Sequence, residues 1–119
     1  MTVTGIDHVQ VAAPAGCEAE ARAFYGTLLG LEELPKPEPL AARGGCWFRA
    51  GAQELHVGVE EPFAPARKAH PGLVAAGLDE LAARLAAAGI DVAWDDAIPG
   101  ARRFHAADPF GNRLEFREL

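Results

Sequence analysis

The chain has 119 residues, half of them hydrophobic, and a formal net charge of −6. That apolar share supports one domain's core without disulfide staples, and no apolar run reaches the ~18 residues of a membrane span. The acidic balance, with arginines scattered among acids, argues against nucleic acid, whose phosphates need a clustered basic face.

Residues 5–13 alternate, with Val9 and Val11 on one side and His8 and Gln10 on the other, the period-two pattern of a strand. Pro14-Ala15-Gly16 breaks it. Residues 17–29 follow with Ala21, Phe24, Tyr25, Leu28 and Leu29 at helical spacing, and Gly30 ends the helix. Leu31–Leu34 reads as a short strand. Pro35-Lys36-Pro37-Glu38-Pro39 cannot enter a sheet interior and is a loop. Residues 46–50 and 53–59 read as a hairpin around Gly51-Ala52. A connector with Pro62 and Pro65 leads to a second strand near 70–76, a helix over 78–88 with Leu78, Leu81, Ala82 and Leu85 on one face, and a stop at Gly89. Strands at 90–94, 102–107 and 112–117 complete the chain, the last two flanking the turn Asp108-Pro109-Phe110-Gly111-Asn112.

Each half is therefore βαβββ, module one at 4–60 and module two at 69–119 of a single domain spanning 1–119. The fold class is α+β: two βαβββ modules forming a curved mixed β-sheet with the helices on its outer face. So short a unit cannot bury both faces of its sheet, and the halves should pack against each other or against another chain.

The repeat extends to residues with chemistry. Glu54 follows His8 by 46 residues and Glu115 follows His70 by 45. If Leu55, Val57, Leu114 and Phe116 form the core faces, then His8, Glu54, His56 and Glu115 occupy the polar faces, with His70 joining them if the second half copies the first. Imidazole and carboxylate together suit one divalent ion, Zn, Ni, Fe or Mn, without choosing among them. Glu54 and Glu115 are the candidate bases. His56 is open to ligand, base or substrate contact. Arg103 and His105 share a strand face and are candidate contacts to an anionic substrate, as is Arg49. Cys17 and Cys46 match no zinc spacing and no disulfide framework, and read as free thiols of a reducing cytoplasm. Residues 1–5 lack the regions of a secretory signal, which also leads to a cytoplasmic expectation.

The element order, the opening Asp7-His8-Val9, the Phe24-Tyr25-x-x-Leu28-Leu29-Gly30-Leu31 stretch and the closing Asp108-Pro109-Phe110-Gly111-Asn112-Arg113-Leu114-Glu115-Phe116 together resemble the vicinal oxygen chelate superfamily. This is the group of glyoxalase I, fosfomycin-resistance enzymes, extradiol dioxygenases and bleomycin-resistance proteins. The resemblance covers essentially the whole chain. It implies His8, His70 and Glu115 as metal ligands and Glu54 as the fourth ligand of the glyoxalase I pattern. One departure is Pro71 directly after His70, which removes a backbone donor and restrains the strand.

The activity implied is that of a small metal-dependent, glyoxalase-like lyase or isomerase, acting on a small substrate with adjacent oxygens. A metal-free protein of the bleomycin-resistance type that sequesters a small molecule is the alternative, and an extradiol dioxygenase comes third. The resemblance also implies a homodimer, isologous pairing being the commonest closure.

Overall fold

The computed structural model describes residues 2–118. The chain divides between Ala64 and Pro65 into two compact units, and each is a βαβββ module. Module one runs β1 (His8–Ala13), α1 (Glu18–Ala21), a π-helical continuation (Arg22–Leu28), β2 (Glu32–Leu34), a 3₁₀ turn (Leu40–Arg43), β3 (Cys46–Ala50) and β4 (Gln53–Val59). Module two runs β5 (Gly72–Val74), α2 (Leu78–Ala87), β6 (Ala93–Asp95), β7 (Arg103–Ala107) and β8 (Arg113–Arg117). Each module carries its own four-stranded mixed sheet, ordered β1-β4-β3-β2 and β5-β8-β7-β6. The first strand lies parallel to the last, and the other pairings are antiparallel.

The expected faces hold in each core except at Val9 of β1, which is exposed. In module one Val11, Ala13, Phe48, Leu55 and Val57 are buried with Ala21, Phe24 and Tyr25 of the helical segment. In module two Leu78, Leu81, Ala82 and Leu85 form the buried stripe of α2, above Phe104, Leu114 and Phe116 of the sheet. Each fully buried Leu or Phe contributes about 1.5–3 kcal/mol relative to exposure. Among the described residues no helix is long and apolar enough to cross a membrane.

Three boundaries differ from the sequence reading, each for a backbone reason. The first helix widens after Ala21, where Leu29 N–H donates to the Phe24 carbonyl, five residues back. The wider turn rotates Leu28 and Leu29 away from the face that Phe24 and Tyr25 bury, and both end partly exposed. Strand β5 starts only at Gly72 because Pro71 has no N–H for the ladder; its carbonyl still accepts from Glu115 N–H. Ile90 N–H closes back on the Leu85 carbonyl, so residue 90 finishes the helix and β6 begins at Ala93.

The Asp108–Asn112 turn sets the position of β8. Asp108 Oδ1 accepts from Phe110 and Asn112 N–H, while Asn112 Nδ2 donates to Asp108 Oδ2, each at 2.9 Å. Asn112 Oδ1 accepts from Ala66 N–H, and Arg113 N–H donates to the Ala66 carbonyl. The turn thereby holds the lead-in to module two against the start of the strand that carries Glu115.

Candidate metal centre

In module two, neighbouring strands bring three donors together. Glu115 on β8 pairs with His105 on β7 and with Gly72 on β5, so all three side-chain positions share a face. His70 precedes Gly72 by two residues and reaches the same carboxylate. His70 Nε2 lies 3.2 Å and His105 Nε2 3.5 Å from Glu115 Oε1. One donor atom from each residue falls within 4.8 Å of the others. Tetrahedral bonds of roughly 2.1 Å put donors about 3.4 Å apart, so the three fit one small divalent ion.

The hydrogen bonds also select tautomers. His70 Nδ1 lies 2.8 Å from the Lys68 carbonyl. A carbonyl only accepts, so Nδ1 carries the proton. His70 Nε2 faces the Glu115 carboxylate, a hydrogen-bond donor when it carries a proton and a metal ligand when it does not. A backbone carbonyl holding the far nitrogen is the usual outer support of a ligating histidine. For His105, burial first and then the charge of Arg113 hold the imidazole below its ordinary pKa. Its Nδ1 faces Asp95 Oδ2 at 3.8 Å. Glu115 feels burial as an upward push. The His70 hydrogen bond and the charges of Arg103 and His105 outweigh it, so its carboxyl sits below the ordinary range and is ionised.

Arg103 lies across this group. Its Nη1 donates to Glu115 Oε1 and its Nη2 contacts Asp95 Oδ2, each at 3.0 Å. Asp95 was not singled out by the sequence; its register opposite Arg103 puts it on the same face, and its carboxyl is held below the ordinary range, first by the Ala97 N–H.

Module one uses its polar face differently. His8 and Glu54 are ladder partners, but Glu54 Oε1 is taken by His56 Nε2 at 2.9 Å, and His8 Nδ1 by Asp7 Oδ2 at 2.9 Å. The His56 ring is sandwiched. Trp47 stacks on one face at 4.0 Å with 2° between planes, and His8 on the other at 4.2 Å with 19°. His56 is only 4% exposed. Arg49 pairs across the strands with Glu54 and Glu32 and reaches Glu32 Oε1 at 3.8 Å.

Of the sequence candidates, then, module two unites His70, Glu115, His105 and Arg103, and module one unites His8, His56 and Glu54. Sequence reasoning assigned His105 to substrate contact; its direct pairing with Glu115 also groups it with His70 and Glu115, three residues that could hold a metal ion. Strand parity alone carried that signal, since residues 103 and 105 share a face with 115 once β7 and β8 are paired.

Residues 5–116 match the family model described as Glyoxalase/Bleomycin resistance protein/Dioxygenase superfamily. No curated protein matches the sequence. Among solved structures, a glyoxalase family protein from Bacillus anthracis is 57% identical, with a TM-score of 0.95 over 99% of this chain and 97% of its own. A lactoylglutathione lyase from Agrobacterium tumefaciens is 25% identical, with a TM-score of 0.75 over 99% and 96%. A genomically encoded fosfomycin resistance protein from Listeria monocytogenes shares the fold at 14% identity, with a TM-score of 0.78 over 99% and 95%.

Proposed function

Because the chain belongs to the Glyoxalase/Bleomycin resistance protein/Dioxygenase superfamily, we propose that it is a small metal-dependent lyase or isomerase of the glyoxalase-like type, acting on a small substrate with adjacent oxygens. The observation that supports this reading is the His70–Glu115 contact, an imidazole nitrogen 3.2 Å from a carboxylate oxygen, with His105 Nε2 at 3.5 Å from the same oxygen. The centre of the proposed metal site is His70, His105 and Glu115. When bound, a divalent ion supplies Lewis acidity to an oxyanion or enolate. The protein's own groups hold the rest. Lys68 fixes the His70 ring through its carbonyl. Asp95 and Arg103 orient the far side of His105 and Glu115. Glu54, hydrogen-bonded to His56, is a pair able to hold or release a proton.

The reading is tested by chelator competition with zinc or manganese on untagged protein. One tightly held ion per chain is expected in the wild type and none in His70→Ala/Glu115→Gln. Stoichiometric binding by that double variant would sink this site. The sequestering alternative is tested in the same preparation by thermal shift: stabilisation by large aromatic compounds, equal with and without metal, would favour it over the enzyme. The homodimer proposed with this reading is checked by sedimentation at micromolar concentration, where a species of one chain's mass alone would refute it.

A further inference from the structure

The charged groups of module two that the metal reading leaves unused sit one step along the same strands. Arg103 and Arg117 stand directly opposite each other on β7 and β8, an arrangement in which like charges repel. Arg103 spends its two terminal nitrogens on Glu115 and Asp95, and its Nε is buried without a hydrogen-bond partner. The Nε of Arg117 is buried and unpartnered as well. Among the described residues no carboxylate lies within ion-pair distance of Arg117. A buried N–H left unpaired is costly, and native folds rarely retain one without a use. On this face three arginines, Arg103, Arg113 and Arg117, meet two carboxylates, Asp95 and Glu115. The spot is therefore positive in a chain whose net charge is −6.

We infer that the Arg103–Arg117 pair is an oxyanion receptor, the Arg117 guanidinium taking a carboxylate of the substrate beside the charge of Arg103. The pair lies two residues along both strands from His105 and Glu115, about 7 Å away, within reach of arginine side chains. Planar guanidinium groups suit a carboxylate in direction as well as charge. The substrate class follows: a small acid with adjacent oxygens at one end and a second anionic group a few bonds away. The adjacent-oxygen half of this description rests on the metal reading above; the second anionic group rests on the arginines alone.

Two four-carbon acids isolate the second group. Malate and 2-hydroxybutyrate share a carboxylate beside a hydroxyl, and only malate carries a second carboxylate. Titration calorimetry on the metal-loaded full chain should show malate binding at least about tenfold more tightly. Arg117→Gln should lower malate to the level of 2-hydroxybutyrate, with metal affinity by chelator competition unchanged within about twofold. Equal affinity for the two acids in the wild type, or an undiminished preference in Arg117→Gln, overturns the receptor. If that variant fails to fold by circular dichroism, the wild-type comparison decides alone. Should the wild type bind no metal, the metal reading fails by itself, and a preference of the metal-free chain for malate would still support the receptor.

Discussion

Module one and module two share a topology and use it for opposite ends. Counting from His8 in β1 and from His70 just before β5 shows how. Two residues after His8, Gln10 faces His56, which faces Trp47; two residues after His70, Gly72 faces Glu115, which faces His105. An imidazole and an indole in module one thus hold the places of a carboxylate and an imidazole in module two. Two positions further, Gly58 and Gly45 of module one correspond to Arg117 and Arg103. The first module closes its face with stacked rings and with Gln10 lying over Gly58, so close that any Cβ there would meet the Gln10 amide. The second leaves its face charged, with donors unpaired. The difference teaches that the fold supplies a pair of equivalent platforms, and that a few substitutions decide which is filled by stacked rings and which stays charged.

The sharpest break of this comparison is at Gly45. Its φ is +87°, and a Cβ there would collide with the Val57 carbonyl. Arg103 at the corresponding place has an ordinary strand backbone with a negative φ. Gly45→Ala should destabilise the protein by about 3 kcal/mol or more, since left-handed strain and a backbone clash act together. Urea unfolding measures it; a loss under about 1 kcal/mol would show that the closed face of module one tolerates a side chain after all.

The second break separates the modules by metal affinity. Glu115→Gln should lower zinc affinity by about a hundredfold, equivalent to roughly 2.7 kcal/mol, and His105→Ala by about tenfold. His8→Ala, which removes one ring from the stack on His56, should cost less than either. Metal at 100 times its dissociation constant stabilises the folded state by about 2.7 kcal/mol. The thermal shift on loading should therefore be large in the wild type and small in Glu115→Gln, whose gain at the same metal concentration falls to about 0.4 kcal/mol. A larger loss from His8→Ala than from His105→Ala would transfer the main donors to module one.

The third acts in the opposite direction. Arg117→Leu removes a like-charge cross-strand pair and an unpartnered buried N–H, and places an apolar side chain beside Val74, which is 63% exposed on the neighbouring strand. A gain of about 1 kcal/mol in urea unfolding is expected, the usual sign of a group kept for function at a cost in stability. A loss of stability would mean that Arg117 supports the fold, and module two would then resemble module one more than its charges suggest.

What was legible in the sequence divides along the same line. Alternation and helical spacing carried both βαβββ orders and the core faces, because burial imposes those periods directly. Gly30 and Gly89 were readable as helix stops, and both adopt positive φ. The matched His-to-Glu spacings were misleading in one respect. In module one the 46 residues from His8 to Glu54 equal the ladder offset, whereas in module two the ladder joins Glu115 to Gly72, two residues beyond His70. Chain distance sums loops and strands together, and only the pairing separates them. The ladder therefore puts His70 diagonal to Glu115, which is what turns its Nε2 toward the carboxylate. The Trp47–His56–His8 stack was hidden for a related reason, since it needs three strands in register and three ring rotamers, none of which leaves a period in the sequence. The π-helical widening after Ala21 likewise has no compositional signature.

The smallest expected effect tests how module one holds the loop that bears Gly45. Glu18 Oε2 accepts from Gly45 N–H at 2.6 Å, and this bond, ahead of a second backbone bond at its own N–H, holds the Glu18 carboxyl below its ordinary value of 4.5 against an opposing effect of burial. A carboxylate depressed in the folded state contributes stability that is fully present above its unfolded pKa and is lost as pH falls through the lower folded value. The side chain is partly exposed, so solvent screening limits the contribution to about 1 kcal/mol. Glu18→Gln keeps an acceptor for the Gly45 N–H and loses the charge. At pH 6 it should be less stable than the wild type by up to that amount, and the gap should narrow by pH 3, below the ordinary value of 4.5. Urea midpoints at the two pH values measure both quantities. A gap that persists unchanged at pH 3 would show that the charge on Glu18 is irrelevant and that shape alone seats the Gly44–Gly45 turn, making the closed face of module one independent of electrostatics altogether.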